Sequence, residues 1–138
     1  MKKYLSLLFS PFLVACSSVK KGGVVLDYDM FQNKMIEFEN LFSSEVVDYY
    51  IYIYSPDCGH CESIKQDVLE VVSLRDNIAL LEFSEVIPIS TSIDSTIGAS
   101  DVSDISILGT PTMLEIYKNV LVQNVAGASP IINLLSTL

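Results

Sequence analysis

The 138-residue chain has no tryptophan, a single histidine, and only 8 lysines and arginines against 17 carboxylates. The resulting net charge of −9 leaves nothing that resembles a basic patch, which argues against nucleic acid as a partner. What remains is a solvated acidic surface. A zinc site needs four ligands. One histidine and no second cysteine pair do not provide them, so no metal is expected. The apolar stretch at residues 4–14 is too short to span a bilayer as a stable helix. No internal repeat is visible. Three cysteines is an odd number, so one of them needs a separate explanation. Half of the residues are hydrophobic, and the length suits one compact domain with its own core.

The chain opens with Met1-Lys2-Lys3, followed by that short apolar stretch. This is the layout of an export signal. The stretch ends in Leu13-Val14-Ala15-Cys16. These four residues resemble the lipobox of bacterial lipoproteins, which implies a signal peptide at residues 1–15 and a lipidated Cys16 as the first mature residue. An ordinary signal peptide cut after Ala15 is the plainer alternative. Lipidation accounts for the odd cysteine, since Cys16 would then be a thioether. Loss of Lys2 and Lys3 would take the charge from −9 to −11. Residues 16–26 then form a short tether, polar and glycine-containing over residues 17–23. A globular domain is expected over residues 27–138.

Within that domain, Asp29 is placed to cap a helix in which Phe31, Met35, Phe38, Leu41 and Phe42 share one face. Residues 46–54, rich in β-branched and aromatic side chains, read as a buried strand. Ser55-Pro56-Asp57 breaks it, and Ile64, Val68, Val71 and Val72 then recur at helical spacing. Residues 78–83 form a second buried strand. Two strands separated by one helix imply a parallel crossover. Residues 84–106 hold scattered isoleucines among serines, threonines and aspartates, and a loop with a helix near residues 92–98 is expected. Lys118-Asn119 turns one strand, residues 113–117, into another, residues 120–125. Gly127 closes that hairpin. A last helix is expected with Ser129 as its cap and Pro130 at its first position.

Where the first strand gives way to its helix stands Cys58-Gly59-His60-Cys61. Cysteines three apart at a helix start share one face. Unpaired backbone N–H groups and the positive dipole end point at them, which favours a thiolate. The pair alone also admits a structural disulfide. Covalent haem attachment would need a histidine directly after the second cysteine, and that residue is Glu62.

Two separated signals carry a resemblance over residues 27–138. One is Cys58-Gly59-His60-Cys61 after a strand. The other is Gly109-Thr110-Pro111-Thr112 before a hairpin that ends near Gly127. Together they resemble the thioredoxin-like thiol–disulfide oxidoreductases. The Gly-His dipeptide is similar to that of protein disulfide isomerases. The resemblance implies an α/β thioredoxin fold, a central mixed sheet of about four strands flanked by helices. It implies a cis bond before Pro111, with Thr110 and Pro111 beside Cys58 and offering backbone bonds to an extended substrate segment.

By the same resemblance Cys58 attacks a substrate disulfide and Cys61 resolves the mixed disulfide. His60 stabilises the Cys58 thiolate, and Asp57 opposes it. Asp57 stands where thioredoxins often carry tryptophan. Tyr52 stands six residues before Cys58, where they often carry a buried acid. Glu82, on the neighbouring strand, is the candidate to move protons in its place. The expected function is a membrane-anchored, extracytoplasmic bacterial oxidoreductase. Its expected partners are protein thiols and disulfides, a redox partner at the membrane, and the bilayer itself through Cys16. No cofactor is implied. The alternative function is a non-catalytic binding module of the same fold in which Cys58 and Cys61 form a structural disulfide.

Overall fold

The computed structural model describes residues 23–138. The expected export signal and the expected lipidation site, Cys16, lie outside the described residues. The elements in chain order are β1 (Asp48–Tyr54), α1 (Gly59–Leu74), β2 (Ile78–Glu82), β3 (Thr112–Tyr117), β4 (Val120–Ala126) and α2 (Ala128–Leu135), with short 3-10 turns between and before them. The strands form one mixed sheet in the order β2-β1-β3-β4. β1 runs parallel to β2, as a helix-linked pair must, and antiparallel to β3. The β3–β4 hairpin turns at Lys118 and Asn119, whose φ values of 50° and 59° suit the tight turn that twists with its strands.

β1 is buried on both sides, which is why its sequence runs apolar without alternation. Tyr50, Tyr52 and Tyr54 face α1 and α2, together with Cys61, Val68, Leu69 and Val72. Tyr49, Ile51 and Ile53 face the opposite layer, together with Leu41, Ile87, Ile105 and Ile107. Val68, Leu69 and Val72 are completely buried. Each such side chain contributes about 1.5–3 kcal/mol relative to an exposed one, and this apolar face holds α1 on the sheet.

Three sequence expectations are corrected. The single helix expected after Asp29 is absent. Asp27, not Asp29, caps a 3-10 segment, Tyr28–Lys34, that is kinked at Phe31, and a second turn covers Phe38–Asn40. Between them Met35 is extended and pairs with Leu80, whose carbonyl accepts from the Ile36 N–H at 2.9 Å. The cause is the outer edge of β2, which needs a backbone partner. The chain crosses that edge, so Phe31 and Met35 pack on the α1 side while Phe38, Leu41 and Phe42 pack on the other.

The helix expected near residues 92–98 is only a 3-10 turn, Asp94–Thr96, followed by another at Val102–Asp104. This stretch is held by β4, with Gly98 N–H donating to Leu121 O and Leu121 N–H to Ala99 O. Finally, α2 is capped by Gly127 and not by Ser129, which lies inside it. Gly127 has φ 97°, a conformation that glycine alone adopts cheaply. Pro130 is the third helical residue, where a missing N–H still costs nothing.

Candidate functional site

β1 ends at Tyr54, and Ser55-Pro56-Asp57 turns the chain so that Cys58 N–H donates to Ser55 O at 3.2 Å. Cys58 is therefore the N-cap of α1, and its Sγ accepts from the Cys61 N–H at 3.0 Å. A donor aimed at the sulfur, with the dipole behind it, stabilises negative charge there. Cys61 lies one turn on and is 1 % exposed, whereas Cys58 is partly exposed. The two sulfurs are joined in a disulfide, with Cα atoms 5.2 Å apart.

The second half of the site comes from far along the chain. The Thr110–Pro111 peptide bond is cis. The Thr110 carbonyl oxygen lies 3.4 Å from Cys58 Sγ. This loop is secured from behind, since Pro111 O accepts from Gly127 N–H at 2.9 Å and Thr112 Oγ1 donates to Gly109 O at 2.7 Å. A cleft of about 450 Å³ opens between the two halves, lined by Ser55, Asp57, Cys58, Phe83, Ile89, Leu108, Gly109 and Thr110.

His60 is exposed on the first turn of α1, where its carbonyl accepts from Ser63 Oγ at 2.7 Å. It does not line the cleft. Glu82 does not line the cleft either. It is exposed at the end of β2 and borders a different hollow, with Met35, Ile36, Glu37, Phe83 and Ser84. Its charge acts on Tyr54. Proton transfer by Glu82 therefore has no support in this arrangement.

Tyr52 occupies the core behind the cysteines. It is completely buried, and neither its hydroxyl nor the buried hydroxyl of Tyr28 has a partner in good hydrogen-bond geometry. The two hydroxyls still act on each other. Burial pushes Tyr52 up to about 12, with Tyr28 pulling the other way. Burial raises Tyr28 as well, and Tyr52 adds to it. The Tyr28 ring stacks on Tyr54 at 3.6 Å between centroids. Tyr54 is also held up, to about 12, by burial and then by Glu82.

Phe83, Ile89 and Leu108 are site residues that pattern reading did not single out. Leu108 directly precedes the Gly109-Thr110-Pro111 turn, which is a usable signal. Ile89 has none. It enters the cleft through a bridge to Ile107, between loops with no regular periodicity.

A nucleophilic sulfur at a helix start, a buried partner sulfur and a cis-proline loop across an open cleft suit thiol–disulfide exchange. The four-stranded mixed sheet, the CxxC helix after β1 and the cis-proline before β3 define a thioredoxin fold. Among solved structures, the chain is similar to oxidized thioredoxin O1 from Arabidopsis thaliana, with a TM-score of 0.50 and 19% identity over 77% of this chain and 98% of that one. It is also similar to thioredoxin from Aeropyrum pernix, with a TM-score of 0.47 and 19% identity over 72% and 77%, and to thioredoxin from Trypanosoma brucei brucei, with a TM-score of 0.49 and 16% identity over 75% and 88%. No protein-family model and no curated protein sequence matches the chain. At 19% identity the likeness to the Arabidopsis thaliana structure speaks for the fold alone, and function is argued from the site.

Proposed function

We propose that the protein is a thiol–disulfide oxidoreductase acting on protein disulfides outside the cytoplasm, held to a bacterial membrane by lipid on Cys16. The observation that carries the activity is the position of Cys58 Sγ, which receives the Cys61 N–H at 3.0 Å and faces the Thr110 carbonyl across an open cleft. In the reducing direction the Cys58 thiolate attacks one sulfur of a substrate disulfide. A Cys58–substrate disulfide forms, and the second substrate sulfur leaves as a thiolate that takes a proton from water. The Cys61 thiol then loses its proton and attacks Cys58 Sγ. The pair closes to a disulfide, the second substrate thiol is released, and two electrons have passed to the substrate. The exchange is reversible, and the partner that reloads the pair sets its net direction. Thr110 offers its backbone to the substrate, Pro111 fixes the turn that presents it, and His60 favours the Cys58 thiolate from the first turn of α1.

A trapping experiment tests the activity. With Cys61→Ser the mixed disulfide cannot be resolved, so covalent Cys58 adducts with partner proteins accumulate. Cys58→Ser abolishes both the adducts and exchange on a model disulfide. Undiminished exchange by the Cys58→Ser protein defeats the proposal. Folded Cys61→Ser protein that gathers no adduct points instead to a binding module with a structural disulfide.

The anchor is supported by the sequence alone, in the charged start, the apolar stretch and Leu13-Val14-Ala15-Cys16. Cys16→Ala should leave the precursor uncut or release the protein from the membrane fraction. Normal processing with unchanged membrane retention counts against lipidation.

A further inference from the structure

The cleft beside Cys58 combines an apolar rim with an acidic surround. Residues 23–138 hold all 17 carboxylates but only four cations (Lys34, Lys65, Arg75 and Lys118), an excess of thirteen negative charges. None of the four lines the cleft. Lys34 donates to the carbonyls of Val72 and Arg75 at the end of α1. Lys65 is held by Asp27 at 3.6 Å and Glu62 at 3.2 Å. Arg75 donates to the Leu138 carbonyl, and Lys118 lies over the Tyr117 ring in the hairpin turn. Among the described residues, the only charged group lining the cleft is Asp57.

The rim is apolar and open. Ile89 is 57 % exposed and Leu108 is 45 % exposed, with Phe83 partly buried between the strands and the loop. Ile89 is not a loose loop tip. Its neighbours are fixed by Ser90 N–H donating to Ile107 O and Ile107 N–H donating to Pro88 O, both at 2.9 Å. Exposed aliphatic side chains held rigidly beside a reactive sulfur mark a contact surface.

We propose that this cleft selects polypeptide segments whose reacting cysteine is flanked by a large apolar side chain and by positive charge, and that it disfavours acidic thiols of the glutathione type. The inference rests on the exchange activity proposed above and adds a substrate class to it. The apolar flank covers Phe83, Ile89 and Leu108. A lysine or arginine flank meets Asp57 and is steered by the acidic field of the domain. The two carboxylates of a glutathione-type thiol would face that same field with no cation of the described residues in the cleft to receive them. A polypeptide supplies the apolar and cationic groups on one chain, so the occupant is a protein segment.

The test uses the full-length chain, reduced with dithiothreitol and freed of it, so that Cys58 and Cys61 supply the two electrons. The substrates are four short disulfide-bonded peptide homodimers whose cysteine is flanked by Leu or Gly on one side and Lys or Glu on the other. Each rate is divided by that for uncharged hydroxyethyl disulfide. The Leu/Lys peptide should react about tenfold faster than the Gly/Glu peptide, the scale of discrimination that one apolar contact supplies. The Lys-over-Glu ratio should shrink in about 0.5 M salt, where screening cuts the field to a few ångströms, and the Leu-over-Gly ratio should persist. Leu108→Ser should lower the Leu-over-Gly ratio, and Asp57→Asn the Lys-over-Glu ratio. Equal rates for all four peptides overturn the proposal. So does a Leu preference that survives both Leu108→Ser and Ile89→Ser. If hydroxyethyl disulfide itself does not react, the exchange activity fails and this inference falls with it. Reaction without discrimination defeats the inference alone.

Discussion

A single side chain, Tyr52, governs the core behind the cysteines. It stands six residues before Cys58 on β1, and is completely buried. A carboxylate in that place would be costly to ionise but could take a proton from the inner thiol. The tyrosine, held up to about 12 by burial, stays neutral at ordinary pH. Its hydroxyl meets the equally buried Tyr28 hydroxyl outside good hydrogen-bond geometry, so folding strips it of water with little return. A buried unpaired hydroxyl costs about 1–3 kcal/mol. Tyr52→Phe keeps the ring and removes the penalty. The protein should therefore gain about 1 kcal/mol in urea unfolding and about 4 °C in Tm. A loss of stability in that variant would mean that the hydroxyl is bonded after all.

Among the elements, the legible ones are those whose pattern is imposed locally. β1 announces itself because both of its faces are covered, and α1 because Ile64, Val68 and Val72 fall on one stripe. The hairpin is marked by two polar residues between apolar runs. Cys58, Cys61, Asp57 and Thr110 were legible for the same reason, since each sits in a short motif at the end of such an element. The elements misread are those shaped by distant partners. The stripe from Phe31 to Phe42 has helical spacing, yet the edge of β2 draws residues 35 and 36 into a bridge and divides the stripe between two faces. Ile89 and Phe83 reach the cleft through loop pairing that has no period to detect. Lys34 is a further case. α1 has no basic residue in its last turn, and Lys34 supplies the missing charge from 38 to 41 residues away, donating to Val72 O at 2.7 Å and to Arg75 O. No spacing rule in the sequence links those positions.

For the molecule as a whole, charge and buried phenols act together. The described residues carry thirteen excess negative charges and two ion pairs, both made by Lys65. Five tyrosines on or against β1 (Tyr28, Tyr49, Tyr50, Tyr52 and Tyr54) are raised, in every case chiefly by burial. An unfolded tyrosine loses its proton near pH 10. Between pH 10 and about 12 the unfolded chain has therefore shed protons that folded Tyr52 and Tyr54 still hold. The unfolded state binds fewer protons there, so stability falls as pH rises, by about 1.4 kcal/mol per pH unit for each such tyrosine. Below pH 10 both states keep the proton, and this contribution is fully present. Each tyrosinate that forms also adds to the negative excess, so added salt should soften the decline. Urea midpoints measured from pH 8 to pH 12 should hold steady at first and then drop steeply above about pH 10. Phenolate absorbance of the folded protein should lag behind that of the urea-unfolded chain over the same range. Midpoints that stay level between pH 10 and pH 12 would show that these phenols ionise together in both states and are not sealed in the core.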